Sequence, residues 1–378
     1  MIKIDLITGF LGSGKTTFIK KYAEYLISQG ERICILENDY GAINIDMVLL
    51  NDLLGPNCEL EMVVGGDGAA AHQRRFRTKL ISMGMLGYTR VIIEPSGIYD
   101  MDEFFDTLCE SPLDRWYEIG SIITIVDAHT DTGLSKKARY LLASESACAG
   151  KIVLSRIDSM ENAFHAKDDI RSLTDNSSDY RHSPDTARHD AISATIEYLN
   201  SSLELFGCKR SFLLEKDIIA KSWDELTDRD FLAIKSAGYK HASIVKLPLT
   251  DGDDFQSLFY INFRTTETDL RQRISELLSD TSAGNIIRIK GFVALSESTG
   301  GVSLEYTLDE TVSGVKSPGE NRSISDIMKT GHFMEVNATK EGLNIRSTEK
   351  PSQEVLIIIG EKLDKNIISG YFPGAVTV

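Results

Sequence analysis

The sequence predicts an α/β fold with a mainly parallel sheet and helices on both faces, followed by a smaller α+β domain. In the first half of the chain, short apolar runs alternate with longer amphipathic stretches, which is typical of parallel strands joined by right-handed helical crossovers. From about residue 241 the chain instead carries several strand-like runs and one amphipathic stretch, which indicates an antiparallel sheet. The length of 378 residues exceeds the needs of one ordinary core, so two domains are expected.

The elements of the first half follow from these apolar runs, which are short and bounded by polar or turn-forming residues. The predicted strands are Ile2–Ile7, Arg32–Leu36, Arg90–Ile93, Ser121–Val126 and Lys151–Leu154, and the predicted helices are Thr17–Ser28, Gln73–Met83 and Thr186–Leu205. A polar stretch from Asp158 to about His189 predicts a long surface loop before the last of these helices. The charged segment Lys216–Gly238 is predicted to be a helical connector.

The second half is expected to form its own small domain. The predicted strands are Ser243–Pro248, Asn285–Leu295, Val302–Leu308, Phe333–Asn337, Gly342–Ser347 and Glu354–Gly360, with one helix over Glu267–Ser279. The small and turn-forming residues 313–319 predict an exposed loop. We therefore expect a first domain over residues 1–205, a connector over 206–240 and a C-terminal domain over 241–378.

Composition narrows the class of partner. The formal net charge of −15 argues against a nucleic-acid partner, which calls for a basic face. No apolar run approaches the roughly 18 residues of a membrane helix, and Ile2–Ile7 does not have the form of a signal peptide, so a cytoplasmic location is expected. Five scattered cysteines without a CxxC pair fit a reducing compartment and are expected to be structural thiols.

The strongest motif is a phosphate-binding loop of the form GxxxxGK[ST], which reads Gly9-Phe10-Leu11-Gly12-Ser13-Gly14-Lys15-Thr16. It lies between a predicted strand and a predicted helix, as the motif requires. Backbone N–H groups around Gly12, Ser13 and Gly14 would surround the β-phosphate at the positive end of that helix, which continues with Thr17. Lys15 would reach the β- and γ-phosphate oxygens, and the Thr16 hydroxyl would ligate Mg²⁺. The loop predicts a bound nucleoside triphosphate with Mg²⁺.

Acidic residues follow two of the predicted strands. Glu94 follows Arg90–Ile93, where its carboxylate is placed to hold Mg²⁺ directly or through water. Gly97 would bring its backbone N–H to the γ-phosphate because no side chain obstructs the approach. Glu37 and Asp39 follow the preceding strand, where a segment that senses the γ-phosphate would begin, and they are further metal-ligand candidates. The alternative for Glu94 is a surface carboxylate that caps a turn.

In their order along the chain, several short motifs resemble the CobW family of metallocofactor-maturation GTPases, which is related to HypB and UreG. They are the loop Gly9–Thr16 with Thr17, Glu37-Asn38-Asp39-Tyr40-Gly41 with Ile45-Asp46, Glu94-Pro95-Ser96-Gly97, Val126-Asp127-Ala128, Ile287–Phe292 and Ile358–Asp364. The resemblance covers nearly the whole chain, and the order of the motifs carries more weight than any later motif alone. It implies a GTPase domain and a CobW-type C-terminal domain. Because no residue obviously orients the attacking water, we expect a low intrinsic rate of hydrolysis, stimulated by a client or by dimer formation.

The guanine-reading segment departs from the usual Asn-Lys-x-Asp. After Lys151–Leu154 the chain reads Ser155-Arg156-Ile157-Asp158. Asp158 keeps the carboxylate that would accept two guanine N–H bonds, and Arg156 stacks on a base as well as Lys does. Ser155 replaces only part of the bonding of Asn. GTP is therefore favoured over ATP, and the alternative is that Asp158 merely caps a helix.

The metal-binding cysteines of the family are missing. Where the family commonly carries Cys-x-Cys-Cys, this chain reads Gly66-Asp67-Gly68-Ala69-Ala70-Ala71-His72, so thiolate ligation of Zn²⁺ is impossible there. Asp67 and His72 are possible ligands, and ordinary loop residues are the simpler interpretation. The alanine run is compatible with natural drift or with engineered replacement. The nearby basic cluster, Arg74, Arg75, Arg77 and Lys79, fits a solvated helix face better than an acidic partner.

The sequence thus indicates a two-domain P-loop NTPase, with Mg²⁺ and GTP or ATP as cofactors. The resemblance adds a client metalloprotein or cofactor-assembly protein as partner and a possible homodimer. Two other functions stay open. One is a P-loop kinase that phosphorylates a small molecule, and the other is a scaffold that binds nucleotide without hydrolysing it.

Overall fold

In a computed structural model of the chain, two compact units span Met1–Leu249 and Thr250–Val378. The structure describes residues 1–10, 12–39, 49–64, 69–95, 101–130, 134–157, 184–247, 256–295, 333–340, 342–348 and 354–377. The predicted strand Val302–Leu308 and the predicted loop 313–319 lie outside these residues.

The first unit is built on a seven-stranded sheet in which every pairing is parallel. The strands are β1 (Ile2–Thr8), β2 (Ile33–Asp39), β3 (Cys58–Val64), β4 (Arg90–Pro95), β5 (Tyr117–Asp127), β6 (Lys151–Ser155) and β7 (Ile218–Ile219). Their order in the sheet is β3-β2-β4-β1-β5-β6-β7. Strand β1 is therefore central, with β4 on one side and β5 on the other, and the carboxyl ends of all seven strands lie at one edge.

Helices connect these strands. They are α1 (Lys15–Ser28), α2 (Ala69–Met83), α3 (Met101–Cys109), α4 (Leu113–Trp116), α5 (Lys136–Ala147), α6 (Pro184–Leu205), α7 (Leu214–Asp217) and α8 (Asp228–Lys235), with 3₁₀ turns at Asn51–Leu53 and Trp223–Glu225. Side-chain caps fix where several of them begin. The Ser135 hydroxyl accepts from the Ala138 N–H at the start of α5, and Thr227 forms a capping box with Asp230 at the start of α8.

Both faces of the first sheet are buried. Ile33 and Ile35 of β2 face one way and join an apolar cluster with Phe18 of α1, whereas the intervening Cys34 faces the other way and is equally buried. Alternation of this kind, with no exposed face, is what helices on both sides of a parallel sheet require. No helix among the described residues is long and apolar enough to cross a membrane.

The second unit holds an antiparallel sheet. Its strands are β8 (Gln256–Ile261), β9 (Arg264–Thr265), β10 (Asn285–Leu295), β11 (Phe333–Thr339), β12 (Gly342–Thr348), β13 (Val355–Glu361) and β14 (Val376–Thr377), in the order β12-β11-β10-β13-β8-β14 with β9 parallel beside β10. Helices α9 (Glu267–Ser279) and α10 (Lys365–Tyr371) and a 3₁₀ turn at Thr281–Ala283 complete it. Leu270, Ile274 and Leu277 of α9 are fully buried in its core, as the predicted amphipathic helix requires.

The predicted fold class is confirmed, and two of the predicted elements differ in the structure. The sequence analysis did not predict strands β3, β7, β8, β9 and β14 or helices α3, α4, α5 and α10. Residues 243–247 of the predicted strand Ser243–Pro248 have no regular secondary structure. The expected helical connector 206–240 is helical only in part, because it also supplies β7, and these residues lie within the first compact unit.

One buried ion pair connects the central strand β1 to its neighbour β4. Both carboxylate oxygens of Asp5 in β1 accept from Arg90 Nη1 of β4, at 2.7 and 2.6 Å. Asp5 has no exposed surface and also accepts from the Tyr22 hydroxyl and the Ser121 N–H. Burial raises the pKa of Asp5, and the Arg90 guanidinium opposes that rise. The pair joins the central strand to its neighbour.

We expect Arg90→Met to lower the free energy of unfolding of the first unit by about 3 kcal/mol, because it leaves the Asp5 carboxylate buried without its cation. Urea denaturation followed by circular dichroism measures this. The control is Lys3→Met, which breaks the exposed Lys3–Glu118 pair (2.8 Å) on the same strand and should leave the midpoint unchanged. Equal losses in the two variants would contradict the expectation.

Candidate functional site

The phosphate-binding loop connects the central strand β1 to helix α1, and its glycines are required by its shape. Gly9, Gly12 and Gly14 have φ of 142°, 85° and 96°, values that favour glycine. At Gly9 the space is also closed, since an added Cβ would lie 2.3 Å from the carbonyl oxygen of Ile125 in β5. The loop therefore passes against the neighbouring strand at a distance that no side chain tolerates.

The amino end of α1 is prepared for an anion. Gly14 occupies the N-cap position without a side-chain cap, and the first turn of the helix holds no acidic residue. Its N–H groups therefore point out of the helix without a carboxylate or hydroxyl from the cap, which is the arrangement that binds phosphate. Ser13 is buried, and its hydroxyl has no hydrogen-bond partner among the described residues.

Lys15 lies inside the loop. Its side chain is buried, and Nζ donates a hydrogen bond of 2.9 Å to the Gly9 carbonyl oxygen. The same ammonium lies 4.0 Å from Oε1 of Glu94. The ammonium is thus held within the loop, between the Gly9 carbonyl and the Glu94 carboxylate.

Oxygen donors from α1 and β4 meet beside Lys15, and the neighbouring strand β2 carries further buried polar residues. The Thr16 hydroxyl of α1 lies 3.4 and 3.2 Å from the two carboxylate oxygens of Glu94, at the end of β4. Glu37 of β2 is the register partner of Glu94 and is also buried. Asn38, next along β2, is fully buried, and neither atom of its amide has a hydrogen-bond partner among the described residues. Hard oxygen donors of this kind suit Mg²⁺.

Two predicted residues of this group lie beyond what the structure describes in full. Asp39 ends strand β2, as expected of a residue leaving the carboxyl edge of the sheet, and only its backbone is described. Gly97 lies outside the described residues. Thr17 follows Thr16 in the first turn of α1 and is exposed.

The segment after β6, which is predicted to bind the base, contacts the phosphate-binding loop. Ser155 ends β6, and its Cβ lies 3.6 Å from the position that a Cβ on Gly14 would take. Arg156 has a φ of 58°, and its guanidinium donates to the Gly12 carbonyl oxygen at 2.6 Å and to Asp127 Oδ2 at 2.5 Å. The planar end of Arg156 is thus held by the loop. Asp158 lies outside the described residues.

Two features of the site were not predicted from the sequence. The turn after β7, residues 220–223, lies beside Ser155 because β7 pairs with β6, and the Trp223 ring lies 3.7 Å from the Cβ position of Gly14. Glu145 of α5 is buried, and its carbonyl oxygen accepts from the Thr8 hydroxyl of β1 at 3.0 Å and from the Thr124 hydroxyl of β5 at 2.9 Å. Strand β7 has only two residues, which is too short to show a periodic pattern in the sequence. The sequence around Glu145 likewise carries no motif that would place this helix beside the loop.

Burial raises the pKa of Glu145 to about 8, and the Lys15 charge and the Gly9 N–H only partly oppose that effect. Its Oε2 has no hydrogen-bond partner among the described residues. A neutral carboxyl at neutral pH accounts for both observations, because an ionised carboxylate would leave a full charge poorly solvated.

The remaining metal-ligand candidates do not assemble. Within the described ranges, no group of three or more His, Cys, Asp and Glu side chains is placed to hold a metal ion. His72 is buried in α2, which begins within the alanine run, and Asp67 lies outside the description. Burial raises the pKa of Cys58 to about 11 and that of Cys34 further, so these thiols are inert at neutral pH, as expected of structural thiols.

The basic cluster of α2 is partly neutralised within the chain. Arg77 pairs with Glu110 at 2.7 Å, and Lys79 pairs with Glu61 at 2.7 Å. These side chains are a third or so exposed. The pairs support the interpretation of a solvated helix face.

The parallel sheet, the glycine loop at its central strand and the uncapped amino end of α1 define a P-loop nucleotide-binding protein. Residues 3–181 match the family model of the CobW/HypB/UreG nucleotide-binding domain. The resemblance seen in the motifs is confirmed over residues 3–181, which are similar to the nucleotide-binding domain of that family.

Two curated relatives from Escherichia coli K12 match parts of the chain. The zinc chaperone YjiA is 25% identical over 165 residues, which is 42% of this chain and 50% of the relative. The zinc chaperone YeiR is 27% identical over 159 residues, 42% of this chain and 47% of the relative. The matched stretch therefore spans about half the length of these relatives.

Similar solved structures include zinc-bound YjiA GTPase from E. coli, at 14% identity and a TM-score of 0.28 over 99% of this chain and 98% of that chain. HypB from Helicobacter pylori in complex with nickel has 15% identity and a TM-score of 0.35 over 62% of this chain and 84% of that chain. These superpositions are too loose to locate any residue of the site.

The raised pKa of Glu145 predicts a pH dependence of stability. The unfolded chain releases this proton near the ordinary value of 4.5, and the folded chain keeps it up to about 8. Between these values the folded state binds more protons, so the free energy of unfolding should fall as the pH rises and then level off. Chemical denaturation of the wild type and Glu145→Gln across this window isolates the effect, because Gln does not titrate. Parallel pH profiles would contradict it.

Proposed function

We propose that this chain binds a nucleoside triphosphate with Mg²⁺, prefers GTP and hydrolyses it slowly, and that the cycle serves a client as a metallochaperone or maturation switch. The observation that carries the catalytic part is the meeting of Lys15, Thr16 and Glu94 at the carboxyl edge of the sheet, beside an uncapped helix terminus. The nucleotide-binding family of residues 3–181 supports it.

Each part of the loop has a task in phosphoryl transfer. The N–H groups at the start of α1 bind the phosphate oxygens, and Lys15 leaves the Gly9 carbonyl to neutralise charge on the β- and γ-phosphates. Thr16 and Glu94 would hold Mg²⁺, directly or through water, with Glu37 and Asp39 beside them. When bound, Mg²⁺ supplies charge neutralisation on the phosphate oxygens. No described side chain is obviously placed to orient the attacking water, which favours a low intrinsic rate.

The preference for guanine rests on the segment after β6. Asp158 supplies the carboxylate that accepts two guanine N–H bonds, a pattern that adenine lacks. Because the guanidinium of Arg156 is bound by Gly12 and Asp127, its aliphatic stem, rather than its planar end, would cover the base. Ser155 lies against Gly14, and Trp223 at the end of segment 220–223 lies beside the same glycine.

The metallochaperone role rests on the relatives rather than on a ligand set in this chain. YjiA and YeiR are named zinc chaperones, and each matches less than half of this chain. The family cysteines are replaced by residues 67–71, so a carried metal would need other ligands, and Asp67 and His72 are the nearest candidates in the sequence. A client metalloprotein and a homodimer are proposed partners on the same basis.

Lys15→Ala should abolish detectable hydrolysis of GTP and weaken its binding at least about tenfold, because a preorganised cation is lost from the phosphates. Calorimetric titration with GTP and Mg²⁺ and assay of free phosphate measure both effects. The matched control is Lys20→Ala in the same helix, whose exposed side chain pairs with Asp52 (3.2 Å) and should leave both unchanged. A phosphorylated small molecule instead of free phosphate would favour a kinase, and no turnover in the wild type would favour a scaffold.

Asp158→Asn should exchange the base preference. An amide donates a hydrogen bond where guanine also donates, so GTP affinity should fall about tenfold or more. Xanthine carries a carbonyl in place of the guanine amino group, so xanthosine triphosphate should bind better to the variant than to the wild type. Competition titrations with GTP, ATP and xanthosine triphosphate measure the exchange. Tight ATP binding by the wild type without GTP binding would overturn the guanine assignment.

A further inference from the structure

Asp127 is the last residue of β5, and both oxygens of its carboxylate accept hydrogen bonds. Oδ1 accepts from the N–H of His129 at 2.9 Å, and Oδ2 accepts from Nη1 of Arg156 at 2.5 Å. The backbone of Asp127 is fixed as well, since its carbonyl oxygen accepts from the N–H and the hydroxyl of Thr130 at 3.0 and 2.6 Å. The carboxylate is therefore oriented by its own turn, independently of its contact with Arg156.

Arg156 reaches this carboxylate because β5 and β6 are neighbours in the sheet. Asp127 and Ser155 are register partners at the ends of the two strands, and the Ala128 N–H donates to the Ser155 carbonyl oxygen at 3.1 Å. Arg156 follows directly with a φ of 58°, a left-handed conformation that residues with a Cβ adopt only at an energetic cost. Such a conformation persists where surrounding contacts stabilise it, and the ion pair with Asp127 is one of these contacts.

The same guanidinium holds the phosphate-binding loop. Nη2 of Arg156 donates to the Gly12 carbonyl oxygen at 2.6 Å. The N–H of the next residue, Ser13, donates to the Phe10 carbonyl oxygen at 3.0 Å, so the peptide group between Gly12 and Ser13 is bound through both its oxygen and its nitrogen. Gly12 has a φ of 85° and no side chain with which to fix this turn. Arg156 therefore supplies a contact that the loop cannot supply itself.

The pair of Asp127 and Arg156 differs from an ordinary surface ion pair. Their side chains are only 19% and 26% exposed, so water screens the two charges less than it screens an exposed pair. Because the carboxylate is already oriented by the His129 N–H, little side-chain freedom is lost when the pair forms. Loss of the carboxylate charge should therefore loosen the contact between the guanidinium and Gly12.

We infer that Asp127 is a positioning residue of the nucleotide site. Its carboxylate holds the Arg156 guanidinium against the Gly12 carbonyl, and it thereby fixes the segment that begins at Arg156 to the phosphate-binding loop. Without this charge, the parts that bind the base and the phosphates would move more independently. The inference rests on the proposed nucleotide function only for its consequence in binding, because the contact between Asp127 and Arg156 exists without nucleotide.

The first experiment measures the position of Arg156 in nucleotide-free protein. Brief modification with phenylglyoxal, which reacts with guanidinium groups, is followed by peptide mass spectrometry. The reference is Arg188, whose side chain is 23% exposed and also pairs with a carboxylate, Glu225, at 3.3 Å. In Asp127→Asn the modification of Arg156 relative to Arg188 should rise about fivefold, because a charge-assisted hydrogen bond is lost. A role of Asp127 in folding alone would raise the modification of both arginines.

The variants are chosen to isolate the ion pair. Asp127→Asn keeps an oxygen for the His129 N–H and removes only the charge that binds Arg156. The matched control is Asp52→Asn, which removes the same charge from the exposed pair of Asp52 with Lys20 (3.2 Å) and should leave the modification of Arg156 unchanged. Asp127→Ser, whose hydroxyl can also accept from the His129 N–H, serves in the same measurements if Asp127→Asn does not fold.

The second experiment is a double-mutant cycle on GTP binding, measured by calorimetric titration with Mg²⁺. Asp127→Asn should weaken GTP binding about tenfold. Arg156→Met keeps the aliphatic stem and removes the guanidinium. In the Arg156→Met background, Asp127→Asn should cause no further loss, because the side chain through which Asp127 acts is already absent.

Three results would overturn the inference. They are unchanged modification of Arg156 in Asp127→Asn, an equal rise in the control Asp52→Asn, and a further loss of GTP affinity of the same size when Asp127→Asn is added to Arg156→Met. Failure of the wild type to bind any nucleotide would instead overturn the proposed function, because the modification result in nucleotide-free protein would still stand.

Discussion

The course of the phosphate-binding loop depends on how closely Gly9 passes β5. Because a Cβ at Gly9 would lie 2.3 Å from the Ile125 carbonyl oxygen, the backbone of the loop is pressed against the neighbouring strand of the sheet. The loop then turns back on itself, with the Ser13 N–H donating to the Phe10 carbonyl oxygen at 3.0 Å, and the carbonyl of Gly9 accepts from Lys15 Nζ. The site thus takes its shape from the sheet, and the side chains act within a backbone that is already fixed.

The order of the strands explains which side chains reach that backbone. With β1 between β4 and β5, and β2 beyond β4, Glu94 and Glu37 end neighbouring strands on one side of the loop. On the other side β6 and β7 bring Ser155 and the turn 220–223 to the helix end of the loop. The groups proposed to contact the phosphates and those proposed to contact the base therefore lie on opposite sides of the loop. Both sets lie at the carboxyl edge of the sheet, where open α/β sheets bind ligands.

The sequence could predict those parts of the site whose signal is local. Strand, glycine loop and helix are contiguous, so Lys15 and Thr16 could be placed from spacing alone, and Glu94 follows from the end of an apolar run. Strand β3 was missed because it is not a continuous apolar run. Glu59 and Glu61 interrupt it, and Arg32 and Lys79 pair with these carboxylates in the fold. Glu145 was missed because it comes close to the loop only in the fold, where its carbonyl oxygen accepts from the hydroxyl of Thr8, 137 positions away in the sequence.

Arg156 shows how the base side and the phosphate side are joined. Its guanidinium donates to the Gly12 carbonyl of the loop and to Asp127 at the end of β5, so one side chain connects the segment after β6 with the loop and with the intervening strand. A base bound against the Arg156 stem would contact the same side chain that donates to Gly12. A phosphate bound at Gly12 would in turn affect the position of Arg156 beneath the base. Since both contacts are charge-assisted hydrogen bonds, the two halves of a nucleotide bound as proposed would be held by one connected structure, and the loss of either half should weaken the binding of the other.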